Sequence, residues 1–301
     1  IINQNLYIKL KKNKLLYKIK VNIVIKLFRN MNNIKKFDYK SYLNSIKRKY
    51  KIRIPEKNYK FPYSSYDIVS IGEKYCIFSL YQNNALISID SRSNFKIIPI
   101  EIDHCHSIFF YKQSLVASCY RKNKILIFNS SSYKLIRSFY LKNDQPISSI
   151  LYGDNLIFID YFNSNLKFIN LRENFRIEDN KPLLLNQQNP HSLKMKDNVI
   201  VITFRDPPRM LIYEGLNLYK IKNFESDLDV FSSYPINKNL IIIISLNKGI
   251  YLYKVLLDSL ILISDQIERP TSLTIFKGDL FVTSESSNSI HQISDWESIL
   301  L

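Results

Sequence analysis

One short anchor recurs along this chain at a nearly fixed interval, and that interval constrains the fold more than any other feature. Its clearest copy is Asn189-Pro190-His191-Ser192-Leu193. Related copies read His104-Cys105-His106-Ser107-Ile108, Gln145-Pro146-Ile147-Ser148-Ser149 and Arg269-Pro270-Thr271-Ser272-Leu273, with looser ones at Ser65-Tyr66-Asp67-Ile68 and Val230-Phe231-Ser232-Ser233. Taking the small polar residue as position zero, the anchors fall at Asp67, Ser107, Ser148, Ser192, Ser232 and Ser272, with gaps of 40, 41, 44, 40 and 40 residues.

Eight residues after each anchor an apolar run begins, as at Leu156-Ile157-Phe158-Ile159 and Leu240-Ile241-Ile242-Ile243-Ile244. Ten residues later a second apolar site follows, occupied in turn by Ala85, Ile125, Leu166, Met210, Ile250 and Ile290. Between the two lies turn chemistry such as Lys122-Asn123, Asp206-Pro207-Pro208 and Asn247-Lys248-Gly249. Asn, Ser and Gly tolerate the left-handed backbone of tight hairpins, and Pro presets a turn's first dihedral. A third run closes most units, for example Leu260-Ile261-Leu262-Ile263. Short β-rich runs at even spacing, repeated every 40 to 45 residues, predict an all-β, six-bladed β-propeller with four-stranded blades. No single unit buries both faces alone, so each must pack on its neighbours.

The ends of the chain read differently. Residues 1–60 hold 18 Lys and Arg against Asp38 and Glu56, while the remaining 241 residues hold 25 basic and 24 acidic side chains. Any affinity for polyanions therefore belongs to a basic N-terminal extension over 1–50, not to the propeller of 51–301. Residues 1–30 are open to three readings: sequence ahead of a start at Met31, a disordered basic tail, or an arm for an anionic membrane surface or nucleic acid. Over 32–49, Ile34, Phe37, Tyr42, Leu43 and Ile46 recur at threes and fours and predict an amphipathic helix. Beyond it, Ile52, Ile54, Tyr59 and Phe61 alternate, and they are expected to supply the outer strand of the last blade, which otherwise lacks one before Leu301. A further blade beyond Leu301 is the alternative. No apolar run approaches the ~20 residues of a transmembrane helix. The three cysteines, Cys76, Cys105 and Cys119, are odd in number and have no C-x-x-C spacing, so free thiols in a cytoplasmic protein are expected.

In a propeller the first strand of each blade lines the central channel. The residue just before each anchor reads Tyr66, His106, Ile147, His191, Phe231 and Thr271. Two of the four histidines share this slot, two blades apart. They are candidate nitrogen ligands for zinc or another divalent metal, with His104 a third if it lies in the strand, two residues from His106. Tyr66 and Phe231 suit stacking on a sugar or a peptide side chain. Arg205, in the hairpin around Asp206-Pro207-Pro208, is a candidate partner for a carboxylate or phosphate. There is no Gly-rich phosphate loop, no G-x-S-x-G elbow and no H-E-x-x-H.

The anchor-and-strand pattern over residues 65–295 resembles the six-bladed propellers of the NHL, TolB-like and gluconolactonase-like group. Pro190-His191-Ser192-Leu193 is similar to the Pro-His-x-aliphatic motif of the peptidylglycine amidating lyases, whose histidines from alternate blades bind a catalytic zinc. That resemblance implies ligand roles for His106 and His191, while the third blade in the alternation offers Thr271 instead. The Glu, Asn and Asp set of gluconolactonase-like enzymes has no counterpart in the slot. The expected function is a non-catalytic binding or scaffold propeller that recognises a peptide, protein or glycan at the channel mouth. The alternative is a metal-dependent lyase or lactonase-like hydrolase.

Overall fold

A computed structural model describes residues 58–60, 65–80, 85–90, 95–99, 102, 104–172, 177–184, 189–286 and 289–299. All of them lie within the unit Arg53–Leu301. The helix expected over 32–49, and the rest of the basic extension, fall outside the described residues.

The described residues form six four-stranded antiparallel sheets, I to VI in chain order of their innermost strands. Those innermost strands are Ser65–Ile71, Cys105–Tyr111, Pro146–Tyr152, Pro190–Lys196, Val230–Asn237 and Pro270–Phe276. Each contains one anchor. They pack one against the next around a ring that closes, since the first strand of sheet I also touches that of sheet VI. The architecture is a β-propeller. In sheet VI the outermost strand is Asn58–Lys60, which pairs with Ser289–Ile293 through Tyr59↔Ile290. The expected closure by a segment from the N-terminal side is thus observed.

The second strand of each blade is buried on both faces, which is why it reads as an unbroken apolar run. Leu240–Ser245 illustrates the rule. Ile241 and Ile243 pack with Val199, Val201, Met210 and Ile212 of blade IV. Ile242 and Ile244, pointing the other way, pack with Leu273, Leu280 and Val282 of blade VI. Alternation along one strand therefore joins two neighbouring blades.

Turn chemistry falls where expected. Asn123 and Ser164 adopt left-handed backbone at φ 51° and 53°, and Gly249 sits at φ 102°. At Gly249 a side chain would run into the Ser264 carbonyl, so this glycine is required by close backbone approach. Among the described residues, no helix is long and apolar enough to cross a membrane.

Candidate functional site

Each innermost strand breaks register with its partner at the anchor. Cys105 pairs with Cys119 and Ser107 with Ser118, leaving His106 as an extra residue. The same bulge leaves out Ile147, His191, Phe231 and Thr271 in blades III to VI. In blade I the pairing jumps from Ser65 to Ile68. A β-bulge turns two consecutive side chains toward one side. Hence both the anchor residue and the one before it face the channel, in two stacked layers.

The anchor layer is a ring of small polar groups. Ser107 and Ser148 hydroxyls lie 3.1 Å apart, as do those of Ser192 and Ser232. Asp67 is the one carboxylate in the ring. It accepts the backbone N–H of Ile68 at 3.0 Å and that of Ile108 at 2.8 Å, together with the Ser272 hydroxyl. Lys194, from the opposite blade, donates to both of its oxygens at 2.6 and 2.7 Å. Their side chains are 12% and 4% exposed, so this ion pair spans the propeller axis largely shielded from bulk water. The void left between these groups and the residues just before the anchors is about 10 Å3, space for about one water molecule.

The layer above is aromatic. His191 packs on Phe231 with centroids 4.0 Å apart, Tyr66 on His106 at 4.4 Å, and the two imidazoles lie 5.0 Å apart. Tyr66, His106, His191 and Phe231 therefore meet as the spacing predicts, but they fill the channel mouth with one another. Thr271 is buried, with its hydroxyl 2.9 Å from that of Thr283.

Both imidazoles are held neutral, chiefly by burial. His191 is lowered to about 4, and His106 well below its ordinary value, with the neighbouring His191 adding to the effect. His191 Nδ1 lies 2.8 Å from the Phe231 carbonyl, so Nδ1 carries the proton and Nε2 keeps its lone pair.

His104 does not join them. It precedes the strand rather than lying in it, with φ 51°, and its Nε2 is 3.3 Å from Arg121 Nη1. The two-residue alternation that was to bring it beside His106 fails because the turn residue and the bulge both break strand geometry. Among the described residues, no three His, Cys, Asp or Glu side chains converge as a metal site would need.

Arg205 does pair with a carboxylate, but one of this chain. Its Nε and Nη2 donate to Asp229 at 2.9 and 2.8 Å, and its guanidinium lies 5.4 Å from the Phe231 ring centre. This fork is part of the wall of a 430 Å3 cavity beside the filled mouth, with Tyr161, Asn189, His191, Asp206 and Pro207. A second cavity, of 630 Å3, adjoins it through Asp229 and is lined by Asn247, Lys248, Tyr251, Asp265, Glu268 and Arg269. Sequence reasoning missed Asp67 and Lys194 as a pair, and it missed this off-axis groove.

No protein-family model matches the sequence, and no curated protein matches it. Among solved structures the chain is similar to the WD40 repeats of RRP9, at 14% identity and a TM-score of 0.61, over 81% of this chain and 99% of that one. It is similar also to the WD40 propeller domain of Doa1, at 9% identity and 0.62, over 81% and 98%. Streptogramin B lyase matches at 12% identity and 0.58, over 80% and 96%. Likeness at these identities establishes the β-propeller fold.

Proposed function

We propose that this chain is a six-bladed, non-catalytic binding propeller that receives an extended polypeptide on the face where its inner strands begin. The observation that carries the reading is the distribution of space. The axial channel is filled by an aromatic layer over a hydroxyl and ion-pair layer, whereas two adjoining cavities of 430 and 630 Å3 open off-axis across blades III to VI. A recognition site that runs from blade to blade suits an extended chain better than a compact substrate. The two channel histidines are used in packing and in a backbone hydrogen bond, which supports binding over metal-dependent turnover.

The test is selection of a random dodecapeptide library on the whole protein. Binders are then assayed against Ser226→Trp and Gln266→Trp, which place a bulky group at exposed positions in or beside the groove. Peptides that bind the parent and lose at least tenfold on either variant support the reading. Failure to enrich any peptide, or binding indifferent to both variants, overturns it.

A further inference from the structure

The charges of the groove go beyond this reading, on which the present inference rests, and give the chemical class of the partner. Three cations line the two cavities, and each is already held by a carboxylate. Arg205 is engaged by Asp229, Lys248 by Asp227, and Arg269 by Glu285 at 2.8 Å. Three further carboxylates of the lining, Asp206, Asp265 and Glu268, are exposed and have no cationic partner among the described residues. Four carboxylates, Asp206, Asp229, Asp265 and Glu268, and three cations thus line the groove, and Asp227 and Glu285 beside it neutralise two of those cations, in a propeller whose charge is otherwise nearly balanced.

A second, independent feature points the same way. His191 is 6% exposed and forms part of the wall of the 430 Å3 cavity. Its Nδ1 proton is committed to the Phe231 carbonyl, and its Nε2 has no protein partner among the described residues. A buried imidazole in this tautomer offers an acceptor and no donor, so it calls for a hydrogen-bond donor from the ligand. Tyr161 and the Pro207-Pro208 turn beside it present apolar surface of the kind along which a long aliphatic stem lies while its charged head reaches acceptors.

We infer that the groove recognises a lysine- or arginine-bearing segment of another polypeptide. One cationic side chain enters the cavity beside His191 and Asp206, and the following residues run past Asp265 and Glu268. An anionic ligand is disfavoured because every lining cation already has its counter-charge.

The experiment uses the whole protein and the selected peptides, with affinity read by fluorescence anisotropy at two salt concentrations. Each Lys or Arg is replaced in turn by norleucine, which keeps an aliphatic stem and removes the charge. The neutral variant Asp206→Asn/Asp265→Asn/Glu268→Gln, at three exposed loop positions, is measured alongside, with circular dichroism to confirm its fold. The expected result is a loss of at least tenfold for one norleucine replacement and a similar loss for the triple variant. The two losses combined should be less than additive, and binding should weaken as salt rises. Groove-dependent binders that are neutral or acidic, or that tolerate both changes, overturn the cationic inference while leaving the polypeptide-binding reading intact. Absence of any groove-dependent binder removes both.

Discussion

Replacing Asp67 by Ser gives blade I the residue that the other five blades carry at the anchor, yet it should be among the most damaging single changes in the propeller. The Lys194 ammonium is 12% exposed and has Asp67 as its counter-charge. Loss of the carboxylate strands that cation in a ring of hydroxyls, and also removes the acceptor for the Ile108 N–H and the Ser272 hydroxyl. Breaking one side of a buried pair costs about 3–5 kcal/mol. For a propeller of this size, that corresponds to a fall in Tm of about 6–20 °C. Lys194→Met should cost less, because Asp67 keeps two backbone N–H donors and the Ser272 hydroxyl. The double variant should recover most of the Asp67→Ser loss, since no charge is then left alone. Calorimetry on the four proteins of this cycle measures the coupling directly. A Tm change below about 2 °C for Asp67→Ser, or a double variant as unstable as the two singles summed, would refute the reasoning.

Three further outcomes are expected. Burial lowers His191 to about 4 from an ordinary 6.5, so between those values the unfolded chain takes up a proton that the folded chain refuses. Stability should therefore be full above pH 6.5 and decline as pH falls toward 4, by about 1.4 kcal/mol per pH unit for each such histidine; Tm followed from pH 7.5 to 5 should slope less in His191→Gln, and a flat parent profile would contradict the burial argument. Gly249→Ala should cost at least about 2 kcal/mol through strained backbone and collision with the Ser264 carbonyl, whereas Gly278→Ala, with open space around it, should lose less in the same thermal melt. Cys76, Cys105 and Cys119 are at most 1% exposed, so a colourimetric thiol reagent should label none of them within minutes in native protein and all three in denaturant; rapid native labelling of any one would argue against the packing of blades I and II.

Much of the architecture is written in the anchor period, because a blade that must bury both faces needs the same apolar runs in every copy. The channel layers were less legible. Strict alternation assigns only one of two adjacent residues to the channel, so a reading without the bulge sees Tyr66, His106, His191 and Phe231 and overlooks the ring of Asp67 and serines beneath them. A usable signal was nevertheless present. Asp67 is the one acidic residue in the six inner strands, and Lys194 is one of two basic ones. Opposite charges in strands that hold only one other Lys, three blades apart, imply a pair across the axis. The Arg205–Asp229 fork was hidden for a different reason: its partners come from separate blades, 24 residues apart, and loop geometry decides whether they meet.

The closure of sheet VI also sets a schedule. Lys60 pairs with Ser289, so the strand Asn58–Lys60 leaves the ribosome 229 residues ahead of its partner. At roughly 5–20 residues per second of synthesis, it waits on the order of 10–50 s without the edge it will cover. Blades I to V contain all of their own strands and are free to assemble from local hairpins in that interval, but the ring has to stay open until its last sheet is made. Completion joins the most distant parts of the propeller, and slow non-local pairing of this kind makes the final blade the step at which nascent chains are most exposed to misassembly.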